Sequence, residues 1–190
     1  MVYLGFPEQL ASLLPEGQTI LYLWGHEHRL SFYEKQTIEP LINSGKKLTL
    51  YGRCVGNSGF PTLATQLPIK ARETKLLFYD DRLFNVEGND AWTDMALGFN
   101  GFVTMKFVRP QQAGDTSLYL SYKSLTIDED GQLTDKNPTI LVNEEWSVDS
   151  NGNVILIKLQ PLNQEMTKSV HIDMDKYPST SHHSACCTMT

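Results

Sequence analysis

Cysteine is scarce in this chain. Three stand among 190 residues, Cys54 and the distant pair Cys186 and Cys187. Their spacing fits neither a zinc site nor a disulfide framework, so a reducing compartment is expected. Long apolar runs are missing too, since nothing approaches the roughly 20 residues that a membrane helix needs. The first residues, Met1-Val2-Tyr3-Leu4-Gly5-Phe6-Pro7-Glu8, lack the basic start and apolar stretch of a secretory leader. A cytoplasmic location with no membrane partner is the expectation. Basic residues are outnumbered, 16 against 22 acidic, for a formal charge of -6. Without a basic field to displace counterions from phosphates, nucleic acid is not an expected partner. No fixed repeat period occurs, which excludes a solenoid or propeller. Histidine is absent before His26, and aspartate before Asp80.

What is present is the composition of a globular protein, 41% hydrophobic and 20% charged, at a length that suits one domain. A short helix is predicted from Glu8 to Leu14, where Leu10, Leu13 and Leu14 recur at helical spacing before Pro15 and Gly17. Thr19 to Trp24 is a continuous apolar run, the pattern of a central strand buried on both faces. Further strands are predicted over Ser31 to Ile38 and Lys47 to Val55, the latter with Leu48, Leu50, Gly52 and Cys54 on one face. The short runs Leu76 to Asp81 and Leu83 to Val86 follow. Then come alternating segments around Val103, Met105 and Phe107, around Leu118, Leu120 and Tyr122, and around Ile140, Val142, Trp146 and Val148. Turns are predicted at Asn43-Ser44-Gly45-Lys46, Glu87-Gly88-Asn89-Asp90 and Asp128-Glu129-Asp130-Gly131. Asn151-Gly152 is a strong hairpin signal, and Val154 to Leu159 runs back from it. The expected fold is mainly β, mostly antiparallel with little helix. Residues 161–190 lose the apolar period and are expected to form a flexible tail.

The stretch with chemistry is Trp24-Gly25-His26-Glu27-His28. Imidazole nitrogens ligate zinc, iron and manganese-type centres, and in an extended backbone residues i and i+2 face the same side, so His26 and His28 are candidates for one site. Gly25 is expected to let the chain turn or pass close to a ligand. Two ligands are too few, because even a catalytic zinc usually takes three from protein. The glycine loop Gly56-Asn57-Ser58-Gly59-Phe60-Pro61 ends a predicted strand and is expected beside the histidines.

Gly25-His26-Glu27-His28, closing an apolar strand and followed by Arg29-Leu30, resembles the last signature of the calcineurin-like metallophosphoesterases, Gly-His-x-His. Tyr51-Gly52-Arg53-Cys54-Val55-Gly56 and Phe78-Tyr79-Asp80-Asp81-Arg82-Leu83 are similar to the C-terminal part of bacterial members, and the similarity runs from Val2 to Leu159. It implies part of a β-sandwich in an α/β family context. It also implies a divalent metal pair, such as manganese, iron or zinc, that clamps a phosphate ester and activates a water. On this resemblance His26 ligates one metal and His28 the other. The family's earlier signatures, Asp-x-His, Gly-Asp-x-x-Asp and Gly-Asn-His, are absent. The expectation is therefore a C-terminal metallophosphoesterase segment over residues 1–160, inactive by itself, with an N-terminal partner chain as one possible source of the missing ligands.

Other residues have plainer readings. Arg53 is a candidate for bidentate contact with a phosphate, with a surface ion pair as the alternative. Relatives commonly carry a histidine where Asn57 stands, which weakens a site role for its loop. Asp80, Asp81 and Arg82 read as a solvated turn. His182, His183, Cys186 and Cys187 lie in the tail, where ordering entropy opposes metal binding. The rival functional reading is a non-catalytic β-sandwich that binds another protein through an exposed edge or face.

Overall fold

The computed structural model describes residues 6–38, 46–58, 75–80, 82–85, 96–110, 114–127 and 133–162. The predicted turns at Asn43, Glu87 and Asp128, most of the tail with its histidines and cysteines, and Asp81 lie outside the described residues. After helix α1 (Phe6–Leu13) come β1 (Thr19–Trp24), β2 (Leu30–Ile38), β3 (Leu48–Val55), β4 (Leu76–Tyr79) and β5 (Leu83–Asn85). They are followed by β6 (Ala96–Gly98), β7 (Gly101–Val108), β8 (Thr116–Ile127), β9 (Leu133–Val148) and β10 (Val154–Pro161). The protein is mainly β, as expected.

The strands form two four-stranded sheets and a small pair, β5 with β6. The first sheet runs in the order β1-β3-β2-β4, with β1 parallel to β3 and the other pairings antiparallel. The second is an antiparallel meander, β10-β9-β8-β7. Leu30 and Phe32 of the first sheet meet Leu118, Leu120, Tyr122, Leu141, Val142 and Trp146 of the second in one shared core. Each fully buried Leu or Phe there contributes about 1.5–3 kcal/mol relative to exposure. A second cluster, Ala11 with Leu48 and Leu50, seats α1 on the outer face of the first sheet. β3 therefore divides by parity as predicted: Leu48 and Leu50 face the helix, and Tyr51 and Val55 face the sandwich interior.

Three expectations need correction. Among the described residues β1 pairs only with β3, at the edge of its sheet, and all six of its residues are half-buried, so its apolar run does not mark a central strand. Ile140 is exposed and sits opposite Lys123, because an irregularity between Tyr122 and Lys123 resets the pairing and lets Leu141 and Val142 both turn inward. Pro161, placed in the expected tail, belongs to β10, and the Leu162 amide donates to the Leu141 carbonyl at 2.8 Å.

The hairpin between β9 and β10 forms where Asn-Gly predicted it, with Val154 opposite Val148. Its loop is built on Asp149, whose carboxylate accepts from the Asn151 and Asn153 amides and from Asn153 Nδ2. Gly152 takes φ 82, the left-handed turn that glycine adopts without steric cost. The hairpin also anchors β1: Gln18 Nε2 donates to the Gly152 carbonyl and the Thr19 amide to Asn153 Oδ1.

Candidate functional site

β1 ends at Trp24, and residues 25–29 cross from it to β2. Because β3 lies between those two strands, this loop must pass over the end of β3. It does so in close contact. The Gly56 amide donates to the Arg29 carbonyl at 3.0 Å, and Cys54 Sγ donates to the Glu27 carbonyl at 3.3 Å. A Cβ on Gly56 would overlap that same Glu27 carbonyl, so only glycine fits beneath the loop. The expected neighbourhood of the histidine loop and the glycine loop is thus real for Gly56; Gly59, Phe60 and Pro61 lie outside the described residues.

The positive backbone angle falls on His26, at φ 75, and not on Gly25. A Cβ at Gly25 would meet only the Gly56 Cα, at 3.8 Å, an ordinary contact. The close-approach role assigned to Gly25 belongs to Gly56. A non-glycine residue in the left-handed region carries a steric cost of roughly 1–2 kcal/mol. His26 bears that cost at an exposed position, while His28, two residues on, is half-buried. Both imidazoles share one short loop, but the i, i+2 argument for an extended strand does not apply to a loop bent at residues 26–29. Between them, Glu27 forms an ion pair with Arg29, so its carboxylate is already engaged. Just below the loop, Trp24 stacks on Tyr22 and on Tyr33, each at 5.4 Å between ring centroids. That stack stiffens the strand end from which the histidines project.

Arg53 is not at this site. Its side chain points the other way, into the sandwich, where the residue is 0% exposed. Both the substrate reading and the surface ion pair are corrected: Nε and Nη2 donate to Oε1 of Glu144 at 2.9 and 2.6 Å, and Nη1 donates to the Tyr33 carbonyl at 2.8 Å. Glu144 is 2% exposed, and its second oxygen accepts from the Tyr122 hydroxyl at 2.8 Å. Phe32 and Trp146 sandwich the guanidinium at 4.9 and 5.5 Å. Burial, and then the neighbouring Glu144 charge, raise the Tyr122 pKa, so this hydroxyl stays protonated and keeps donating. The pair bridges the two sheets, and a buried charge with its donors satisfied in this way is closed to substrate.

The remaining candidates are structural. Asn57 is buried; its carbonyl accepts from the Gly101 amide at 2.8 Å, which ties the glycine loop to the start of β7. Asp80 and Arg82 form a bidentate pair, both bonds 2.7 Å, with side chains only 5% and 15% exposed, so this turn is not solvated. Arg82 also lies 5.0 Å over the Phe99 ring. Burial raises the Cys54 thiol pKa and leaves it an inert neutral group under the loop.

For a metal, the donors fit in kind but not in number. Two imidazoles stand on the loop, and among the described residues no group of three or more His, Cys, Asp or Glu side chains is placed to hold an ion. Among those residues no helix is long and apolar enough to cross a membrane. Compared with protein-family models, with curated proteins and with solved structures, the chain matches none of them.

Proposed function

We propose that this chain contributes one corner of a divalent-metal phosphoesterase centre of the calcineurin-like type. His26 and His28 are its two ligands, and the remaining ligands come from outside the described residues. The observation that carries this reading is the loop itself. A strained histidine projects into the open at the C-terminal end of a parallel strand, from a loop that Gly56 and Cys54 tie to the end of β3 and that the Glu27–Arg29 pair braces internally. Strain held in place by its surroundings is a mark of functional positions. The C-terminal ends of parallel strands are where open sheets bind ligands. With only two donors among the described residues, the chain alone is expected not to turn over phosphate esters.

The test is a metal titration followed by an assay. Manganese and zinc should bind weakly, with perturbation of the His26 and His28 imidazole NMR signals, and either His26→Ala or His28→Ala should abolish it. Hydrolysis of an aryl phosphate should appear only when a chain supplying the missing acidic and histidine ligands is added, and both substitutions should remove it. A tightly held, stoichiometric metal pair in the isolated protein, or metal binding that survives either substitution, would refute the proposal. The non-catalytic binding module stays as a second reading because, among the described residues, the outer edge of β7 has no strand partner, as described next.

A further inference from the structure

β7 is an edge strand, and among the described residues it pairs only with β8. Its odd-numbered side chains share a face with the core. Val103, Met105 and Phe107 stand opposite Tyr122, Leu120 and Leu118, all three of which are buried. Yet Met105 is 49% and Phe107 64% exposed. The first sheet covers β8 but leaves these two β7 side chains bare. An open backbone edge carrying apolar side chains is a template for strand pairing unless something blocks it.

We propose that β7 is the self-association edge of this protein, pairing antiparallel with β7 of a second copy about a two-fold axis at Met105. The two meander sheets then continue into each other. The register follows from side-chain complementarity. Lys106 is the one charged side chain between Gly101 and Val108. An axis at Lys106 sets two lysines directly opposite, which is destabilising. An axis at Thr104 leaves Phe107 facing Gly101, which has no side chain to cover it. An axis at Met105 places Val103 against Phe107 of the second copy, Met105 against its equivalent, and Lys106 against Thr104. The bare apolar residues then cover one another and no like charges meet. A two-fold axis uses the same patch on both subunits, so a strand that complements itself in this way needs no other partner.

Analytical ultracentrifugation over a dilution series tests this. The wild-type protein should sediment as a dimer that dissociates on dilution. Met105→Lys, at a position already half exposed, should give a monomer with unchanged circular dichroism and the melting temperature of the wild type diluted to its monomer. In a Cys186→Ser, Cys187→Ser background, Met105→Cys should yield a disulfide-linked dimer on mild oxidation and Phe107→Cys should not, because only the residue on the axis meets its own copy within bridging distance. A wild-type monomer at every concentration overturns the proposal, whether or not a different protein occupies the strand. A dimer that Met105→Lys leaves intact overturns it as well, and cross-linking at Phe107 in place of Met105 overturns the register.

Discussion

His26 carries the most information of any single residue. Its left-handed backbone, at φ 75, costs roughly 1–2 kcal/mol. Glycine at this position would relieve that cost, offset by about 0.4–1 kcal/mol from its greater freedom in the unfolded chain. His26→Gly should therefore stabilise the protein by several tenths to about 1 kcal/mol in urea denaturation, while losing the metal response. His28→Gly, at a residue without positive φ, should destabilise it. If His26→Gly proves less stable than wild type, the strain assigned to this residue is wrong. The sequence flagged both histidines through their neighbours, but it placed the backbone freedom on Gly25. The need for glycine lies at Gly56, because a crossing loop, invisible in spacing, sets its Glu27 carbonyl where a Cβ would stand.

At the scale of elements, the β9–β10 hairpin was the most legible feature, since turn residues 149–153 between two apolar-rich runs locate the chain reversal. Its chemistry is centred on Asp149. The Asn153 side chain, then the Asn153 amide, hold the Asp149 carboxyl below its ordinary value of 3.8. A lowered pKa in the folded state means stability that is present above the unfolded value and lost as pH falls through the folded one. Acid titration of the melting temperature should therefore show a loss that begins as pH drops below 3.8, and Asp149→Ala should flatten that part of the curve. An unchanged acid limb in the variant would show that the loop does not hold the carboxylate in solution. β1 was less legible. An apolar run reads the same whether a strand is central or at an edge, and only its pairing on one side with β3 decides the matter.

At the scale of the molecule, the decisive contact is Arg53 with Glu144, which joins β3 of one sheet to β9 of the other. Removing one member of a buried pair leaves an uncompensated charge, at a cost of about 3–5 kcal/mol, whereas replacing both with apolar residues is often neutral. Glu144→Gln should thus lower stability far more than the double change Arg53→Met with Glu144→Leu, as read by chemical denaturation. Equal losses would mean that the charges themselves hold the sheets. Parity already pointed here: Glu144 shares its phase with Trp146 and Val148, and Arg53 with Tyr51 and Val55. A charged residue is nonetheless expected at the surface, and neither sequence pattern says which face of β3 turns inward or which inward face meets which.

By itself the sequence determined the mainly β class, nearly all the strand positions, the two faces of β3, the Val142–Val148 part of β9 and the place of the hairpin, because each follows from local periodicity and turn chemistry. It also singled out His26 and His28. Only the tertiary structure decided that Arg53 is a core residue, that β1 lies at an edge, and that β7 leaves Met105 and Phe107 uncovered. Those outcomes depend on how two sheets overlap, and overlap joins residues nearly a hundred positions apart that no local pattern connects.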